Sequence, residues 1–323
     1  VSVSTSFYPG AHVHEPDLIF SSADGVLFYT HRQIILSACP EAFHTHISPY
    51  SLEHGASGVY SIPEPAWVLN ILFHALYKTS CAQYNPTLAQ LRKAIGHCMP
   101  LYGITPKDII VPQSPLYALL LLHAAKQPIV VYALAAHFEI EQLAVETSSR
   151  MLGFPLQSID DATASEIGAT YLNRLFLLQH RRTSTLKKLI SQPPYPHAPT
   201  KKCGFDQQRL RTREWGMASA QLVFAARPAD FESRVMVSVD LPVRTIQTTF
   251  DAVVAEMDCV DCIATSNTRI RDIVVSWAAC KVSAQRTRLL DICTSVPSLM
   301  DKPSVRSESH VLIPNEFPGV FVY

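Results

Sequence analysis

Asp17-Leu18-Ile19-Phe20-Ser21-Ser22-Ala23-Asp24-Gly25-Val26-Leu27-Phe28-Tyr29-Thr30-His31-Arg32-Gln33-Ile34-Ile35-Leu36-Ser37-Ala38-Cys39-Pro40 is the stretch whose reading decides the fold. Two short apolar runs, 17–22 and 26–29, flank Ala23-Asp24-Gly25. An Asp-Gly pair between such runs predicts a tight hairpin, so the chain is expected to begin with a β-ribbon. His31 to Ala38 then reads as a helix, with Thr30 placed to cap it and Pro40 placed to start the next one.

Outward from this ribbon, 49–58 is a polar loop and 59–62 a third short strand. After Pro65, residues 66–78 are apolar almost all round, the pattern of a helix buried on most faces. Further helices are expected over 87–101 and 139–152, the latter with Glu139 and Glu141 in its first turn, where the helix dipole favours acids. The run from Leu116 to Phe138 has the length of a bilayer span, but Lys126-Gln127-Pro128 interrupts it. Proline suits a first helical turn and breaks an interior, so two buried helices, 115–126 and 128–137, are the expectation. A helix over 165–182 is followed by Ser191–Thr200 (SQPPYPHAPT), which reads as a linker or exposed corner. Helices over 207–226, 244–257 and 267–290 form a second helical unit, and the tail from Pro297 reads as loosely ordered.

A chain of 323 residues exceeds the usual single domain, and a hydrophobic content of 48% is ample for a core. The formal net charge is zero, so no overall field gathers nucleic acid or anionic membrane. Charge is uneven, however. Arg181, Arg182, Lys187, Lys188, Lys201, Lys202, Arg209, Arg211 and Arg213 face one acid, Asp206. Aromatic residues are thin there and prolines interrupt any groove-reading helix, so the stretch reads as a solvated linker face. Cysteines at 39, 81, 98, 203, 259, 262, 280 and 293 lack the density of a disulfide scaffold, and the N-terminal residues do not read as a signal peptide, so none is expected. Reduced thiols and an intracellular setting, cytoplasmic or nuclear, follow as expectations.

The chain contains no phosphate-cradling glycine motif, no nucleophile elbow and no His-x-x-x-His pair. His54-Gly55-Ala56-Ser57-Gly58 resembles an oxyanion loop but stands alone in a polar turn. Cys259-Val260-Asp261-Cys262 has the spacing of half a zinc site or a redox pair. Cys203, Cys280 or Cys293 completes four ligands only if folding brings them together, and without a second C-x-x-C the pair reads as buried structural thiols. No catalytic residue, cofactor or metal is therefore assigned, and the chain is expected not to be an enzyme.

The order strand, Asp24-Gly25 turn, strand, His31-led helix, Cys39-Pro40 corner and Phe43 resembles the opening of a BTB/POZ domain. Later segments, including 128–138 and 168–182 with Trp215, Cys259-Val-Asp-Cys262 and Trp277, look like the BTB-containing proteins of mushroom-forming basidiomycete fungi. The resemblance implies an α+β, mostly helical fold, with a small β-sheet packed on a helical cluster and an all-α C-terminal region. The expected division is a tail over 1–14, the BTB-like domain with its helical extension over 15–152, the helical region over 153–296 and a tail over 297–323.

The function that the resemblance implies is protein–protein interaction through self-association or partner docking, with a homodimer among the outcomes. No small-molecule substrate, nucleic acid or membrane is expected. Two alternatives are an adaptor for a cullin-type ubiquitin ligase and a DNA-linked transcriptional regulator. Cullin-binding members carry a hydrophobic-x-acid triplet after the Phe corner, whereas His44-Thr45-His46-Ile47-Ser48-Pro49 has no acid. Asp17 and Arg32 sit where the family places charges near the dimer-facing side, as an ion pair or as solvated surface groups. His31 is expected to supply a helix-start hydrogen bond.

Overall fold

The two apolar runs of the first ribbon bury every second side chain on one face. In the computed structural model, which describes residues 2–44, 58–226 and 243–280, strands β2 (Leu18–Ser21) and β3 (Val26–Thr30) pair antiparallel in the register Leu18 to Thr30 and Phe20 to Phe28. Those four side chains are buried on a common face, as the period of two requires. Gly25 takes φ +76° at the turn, a conformation that its missing Cβ permits.

The hairpin and the helix from 32 to 38 thus form where the sequence places them. Two edge strands complete the sheet in the order β1-β3-β2-β4, with β1 (Ser2–Val3) parallel to β3 and β4 (Val59–Ser61) parallel to β2. The segment expected as an N-terminal tail accordingly packs against the sheet, and Phe7 is 1% exposed.

Helix α1 (Arg32–Ala38) follows β3, and α2 (Ala66–Leu76) supplies the centre of the core. Phe73 of α2 lies 5.1 to 5.7 Å from the rings of Phe20, Phe28, Phe43 and Phe7. Such tilted aromatic contacts each add about 0.5–1.5 kcal/mol beyond area burial. Pro65 cannot cap α2 with a side chain, and Asp24 from the hairpin turn does so instead: its Oδ1 accepts the Ala66 N–H at 2.9 Å and the Ser22 hydroxyl.

Thr87 and Gln90 form a reciprocal capping box at the start of α3 (Leu88–Lys93), which continues through a π-helical turn, Ala94–Cys98, and a last turn, Met99–Leu101. Its end is a Schellman arrangement in which the Gly103 N–H donates to the Pro100 carbonyl and the Ile104 N–H to that of Met99. Gly103 has φ +70°, and a Cβ there would lie 2.4 Å from the Glu41 carbonyl oxygen. The same place holds Phe43 N–H to Tyr102 O at 2.8 Å and the Cys39 thiol to Gly103 O at 3.0 Å. These contacts lock the corner after α1 onto the end of α3.

Short α4 (Pro106–Ile109) leads to α5 (Pro115–Ala124) and α6 (Pro128–His137), the two helices that Pro128 separates. Among the described residues no helix is long and apolar enough to cross a membrane. In α7 (Glu141–Ser148) only Glu141 occupies the first turn. Glu139, expected beside it, has φ +53° and pairs with Lys107 at 3.1 Å, because the chain reverses at that residue before the helix starts.

Helix α8 (Asp161–Ile190) runs well past both ends of the segment expected at 165–182, with a break at Gly168 (φ 74°, ψ 157°). Its first part, through Ile167 and Leu175, closes the first core, whereas Leu186 and Ile190 belong to a second core with α9 (Phe205–Ala225), α10 (Val243–Ala255) and α11 (Val260–Ala278). The handover between the cores falls within α8. Trp215 stacks on Phe250 at 4.0 Å, and the Ile190 carbonyl accepts from Trp215 Nε1 (3.0 Å) and Ser219 Oγ (2.6 Å). Arg269 Nη2 donates to the Leu189 carbonyl at 2.7 Å, so the C-terminus of α8 gains both donors and a cation.

The molecule is thus mostly helical with a small four-stranded sheet, of the α+β class. All described residues fall within the unit Val1–Gln285. The polar loop expected over 49–58 (except Gly58), the end of the helix expected over 267–290, Cys293 and the tail from Pro297 lie outside the described residues.

Candidate functional site

Two places gather the residues that the sequence singles out. The first is α1. Four of its seven residues, Ile34, Ile35, Leu36 and Ala38, are apolar, yet only Ile35 is buried. Ala38 packs against the first core, whereas Ile34 and Leu36 stay partly exposed, so among the described residues the helix keeps part of its apolar surface uncovered.

The start of α1 is held by distant groups. Thr30, expected as its cap, is the buried last residue of β3, and its hydroxyl donates to the Leu18 carbonyl at 3.3 Å. His31 occupies the N-cap position without a side-chain capping bond. The Arg32 N–H is satisfied instead by Asp17 Oδ1 at 2.7 Å. Asp17 and Arg32 therefore meet through a carboxylate and a main-chain donor, while Arg32 Nε and Nη2 have no hydrogen-bond partner among the described residues.

The Tyr77 hydroxyl accepts the His31 N–H at 2.7 Å and lies 2.9 Å from His31 Nδ1, and His31 Nε2 lies 2.8 Å from the His14 carbonyl. One proton arrangement satisfies all three contacts: Tyr77 donates to Nδ1, and Nε2–H donates to His14. Burial pushes the Tyr77 phenol far above its ordinary value, so it stays a donor at any physiological pH.

The second place lies where the proline-rich corner meets α9 and α11. His197 Nε2 is 3.2 Å from Cys262 Sγ and 3.4 Å from Cys259 Sγ, and Cys203 Sγ is 3.6 Å from Cys262 Sγ. All four ligand atoms lie within 4.8 Å of one another. Each segment has a local reason for its position. Cys259 is the N-cap of α11 and Cys262 its third residue, so C-x-x-C bends over the helix start. Cys203 closes a turn in which its N–H meets Thr200 Oγ1, just before Gly204 starts α9. His197 is fixed by Nδ1, 2.7 Å from the Ala198 carbonyl, and by Gln208 Nε2 donating to its own carbonyl at 3.1 Å.

Local electrostatics separate the thiols. The Cys262 backbone N–H and its neighbours pull Cys259 down to about 7, whereas burial pushes Cys262 up to about 12. The bond to the Ala198 carbonyl, helped by the Cys259 sulfur, raises His197.

Cys259 and Cys262 are therefore not isolated thiols, because Cys203 joins them and Cys280 does not. Cys280 lies in the second core, where its carbonyl accepts from Arg182 Nη1 at 3.2 Å. His197 gives no signal in the sequence beyond a histidine among prolines.

The basic stretch is solvated for the most part, with one correction. Arg182 is 4% exposed, with its guanidinium 4.0 Å from the Trp277 ring centre, so it is a core residue. Arg211 pairs with Glu214 at 2.9 Å. An open groove between α3 and α6 gathers Arg92, Lys93, His97, His137 and Glu166. Arg92 is already paired with Glu166 and Lys93 with Glu64, and no serine, threonine or cysteine lines the groove among the described residues. Comparison of the chain with protein-family models, curated proteins and solved structures gives no match.

Proposed function

We propose that this chain is a non-enzymatic protein–protein interaction protein, acting through a BTB/POZ-like N-terminal domain that self-associates. The observation that carries the reading is the coverage of α1. A seven-residue helix anchored at its start by Asp17, Tyr77 and His14 holds the partly exposed Ile34 and Leu36 in fixed positions where a second chain can meet them. The order of strand, turn, strand, His-led helix and Phe corner supports the same reading through its resemblance to BTB/POZ openings. In the groove between α3 and α6 the charged side chains are engaged with one another or with neighbours, Arg92 with Glu166 and Lys93 with Glu64. With Arg182 committed to Trp277 and Arg211 to Glu214, the basic stretch offers DNA less than its composition suggests.

Sedimentation of the full chain over a wide concentration range tests the reading. Wild type is expected to shift from monomer to dimer, and Ile34→Asp or Leu36→Asp to shift the equilibrium toward monomer while leaving the circular dichroism unchanged. A wild-type chain that stays monomeric throughout, or a dimer indifferent to both substitutions, overturns it.

A further inference from the structure

We propose that His197, Cys203, Cys259 and Cys262 bind one zinc ion in a closed Cys3His site that staples the proline-rich corner to the second helical core. Three thiols and one imidazole converge from three separate stretches of chain, and cysteine sulfur and histidine nitrogen are the ligands zinc prefers in four-coordinate structural sites. Bond lengths of about 2.3 Å to sulfur and about 2.0 Å to nitrogen set the edges of a tetrahedron at roughly 3.5–3.8 Å. The recorded separations of 3.2, 3.4 and 3.6 Å, within an outer limit of 4.8 Å, match those edges to a few tenths of an ångström.

The surroundings suit a ligand set as well. A metal-bound imidazole needs its other nitrogen protonated and held by an acceptor, and His197 Nδ1 lies 2.7 Å from the Ala198 carbonyl, which leaves the Nε2 lone pair facing the sulfurs. The N-terminus of α11 stabilises the Cys259 thiolate. Three thiolates and a neutral histidine around a divalent ion carry one net negative charge, and Lys201, Lys202 and Arg211 stand near it in sequence or in space. Binding releases the thiol protons to solvent. All four positions are taken by protein ligands, so the site has no open coordination position for a substrate and its role is structural.

The location explains why a staple is useful. The corner from Gln192 to Lys202 carries no helix or strand, and the satellite cluster around the cysteines includes Met257, Val253 and Ile263 among the described residues. So small a satellite core cannot by itself offset the ordering of a proline-rich segment, whereas a metal clip closes the long loop from Cys203 to Cys259.

The test is elemental analysis of the full chain purified without chelator, followed by replacement of the metal with Co2+ and visible spectroscopy. Expected are about one zinc per chain and, with cobalt, the intense visible bands of tetrahedral thiolate coordination. Cys203→Ser and Cys262→Ser should lose the ion or weaken its binding at least about tenfold. His197→Cys, which keeps four ligands, should retain it, and Cys280→Ser should be unaffected. Because the serine variants can also unfold, chelator titration of wild type gives an independent reading: thiol reactivity of three cysteines should rise and the melting temperature fall together. A chain that is metal-free and takes up no Co2+, a Cys203–Cys262 disulfide in the purified protein, or a metal content that Cys280→Ser alone abolishes would each overturn the proposal.

Discussion

Replacing Gly103 by alanine should be the most damaging one-carbon change in the N-terminal half, and the structure separates its two causes. Gly103 has φ +70°, a left-handed conformation costing an L-residue about 1–2 kcal/mol. Its new Cβ would also stand 2.4 Å from the Glu41 carbonyl oxygen, so the backbone of the 39–43 corner would have to move. Forcing a carbon into a packed site costs about 1–3 kcal/mol more. Gly25 provides the control, because its φ is +76° and nothing lies within 4 Å of its would-be Cβ. Gly103→Ala should therefore lose roughly 2–5 kcal/mol and Gly25→Ala roughly 1–2 kcal/mol, read from urea unfolding followed by circular dichroism. Because the clash displaces the corner that follows α1, Gly103→Ala should also weaken any association that uses α1. Equal losses for the two variants would refute the claim that the corner is pressed against the end of α3.

Other consequences are separable. Arg182→Lys keeps the charge but loses the flat stack on Trp277 and should cost about 1–2 kcal/mol, with a change in tryptophan fluorescence; an unchanged protein would return Arg182 to the solvated face. Burial lowers His74 from 6.5 to about 4. The unfolded chain then binds its proton first, so stability should be full above about pH 6.5 and decline toward pH 4, a component that His74→Gln removes. Asp24 is held below its ordinary value by the Ser22 hydroxyl and then by the Ala66 N–H. Its contribution should be present above the unfolded value and be lost as pH falls through the lowered one, and Asp24→Ala should cost about 1 kcal/mol through the lost cap of α2.

What could be read in advance was whatever local sequence dictates. Asp24-Gly25 between apolar runs specifies a hairpin, and Pro128 divides a 23-residue apolar run into α5 and α6 because it cannot continue a helix. What could not be read depends on distant partners. A two-residue strand such as β1 has no periodicity, and nothing near Pro65 announces that Asp24 will cap α2. Helix α11 begins at Val260, earlier than residue 267, because its first turns bury little besides Cys262 and so lack an apolar stripe. The cysteine cluster was half visible: C-x-x-C has a spacing, but Cys203 and His197 reach it only through the turn at Thr200 and the packing of α9 against α10.

Whether α1 is a contact surface is tested most directly by hydrogen exchange at its backbone amides. Comparing dilute and concentrated full-length protein, the amides of Arg32–Ala38 should exchange more slowly at high concentration while those of the buried α2 stay unchanged. Association without added protection at α1, or no concentration dependence anywhere in the chain, would contradict it.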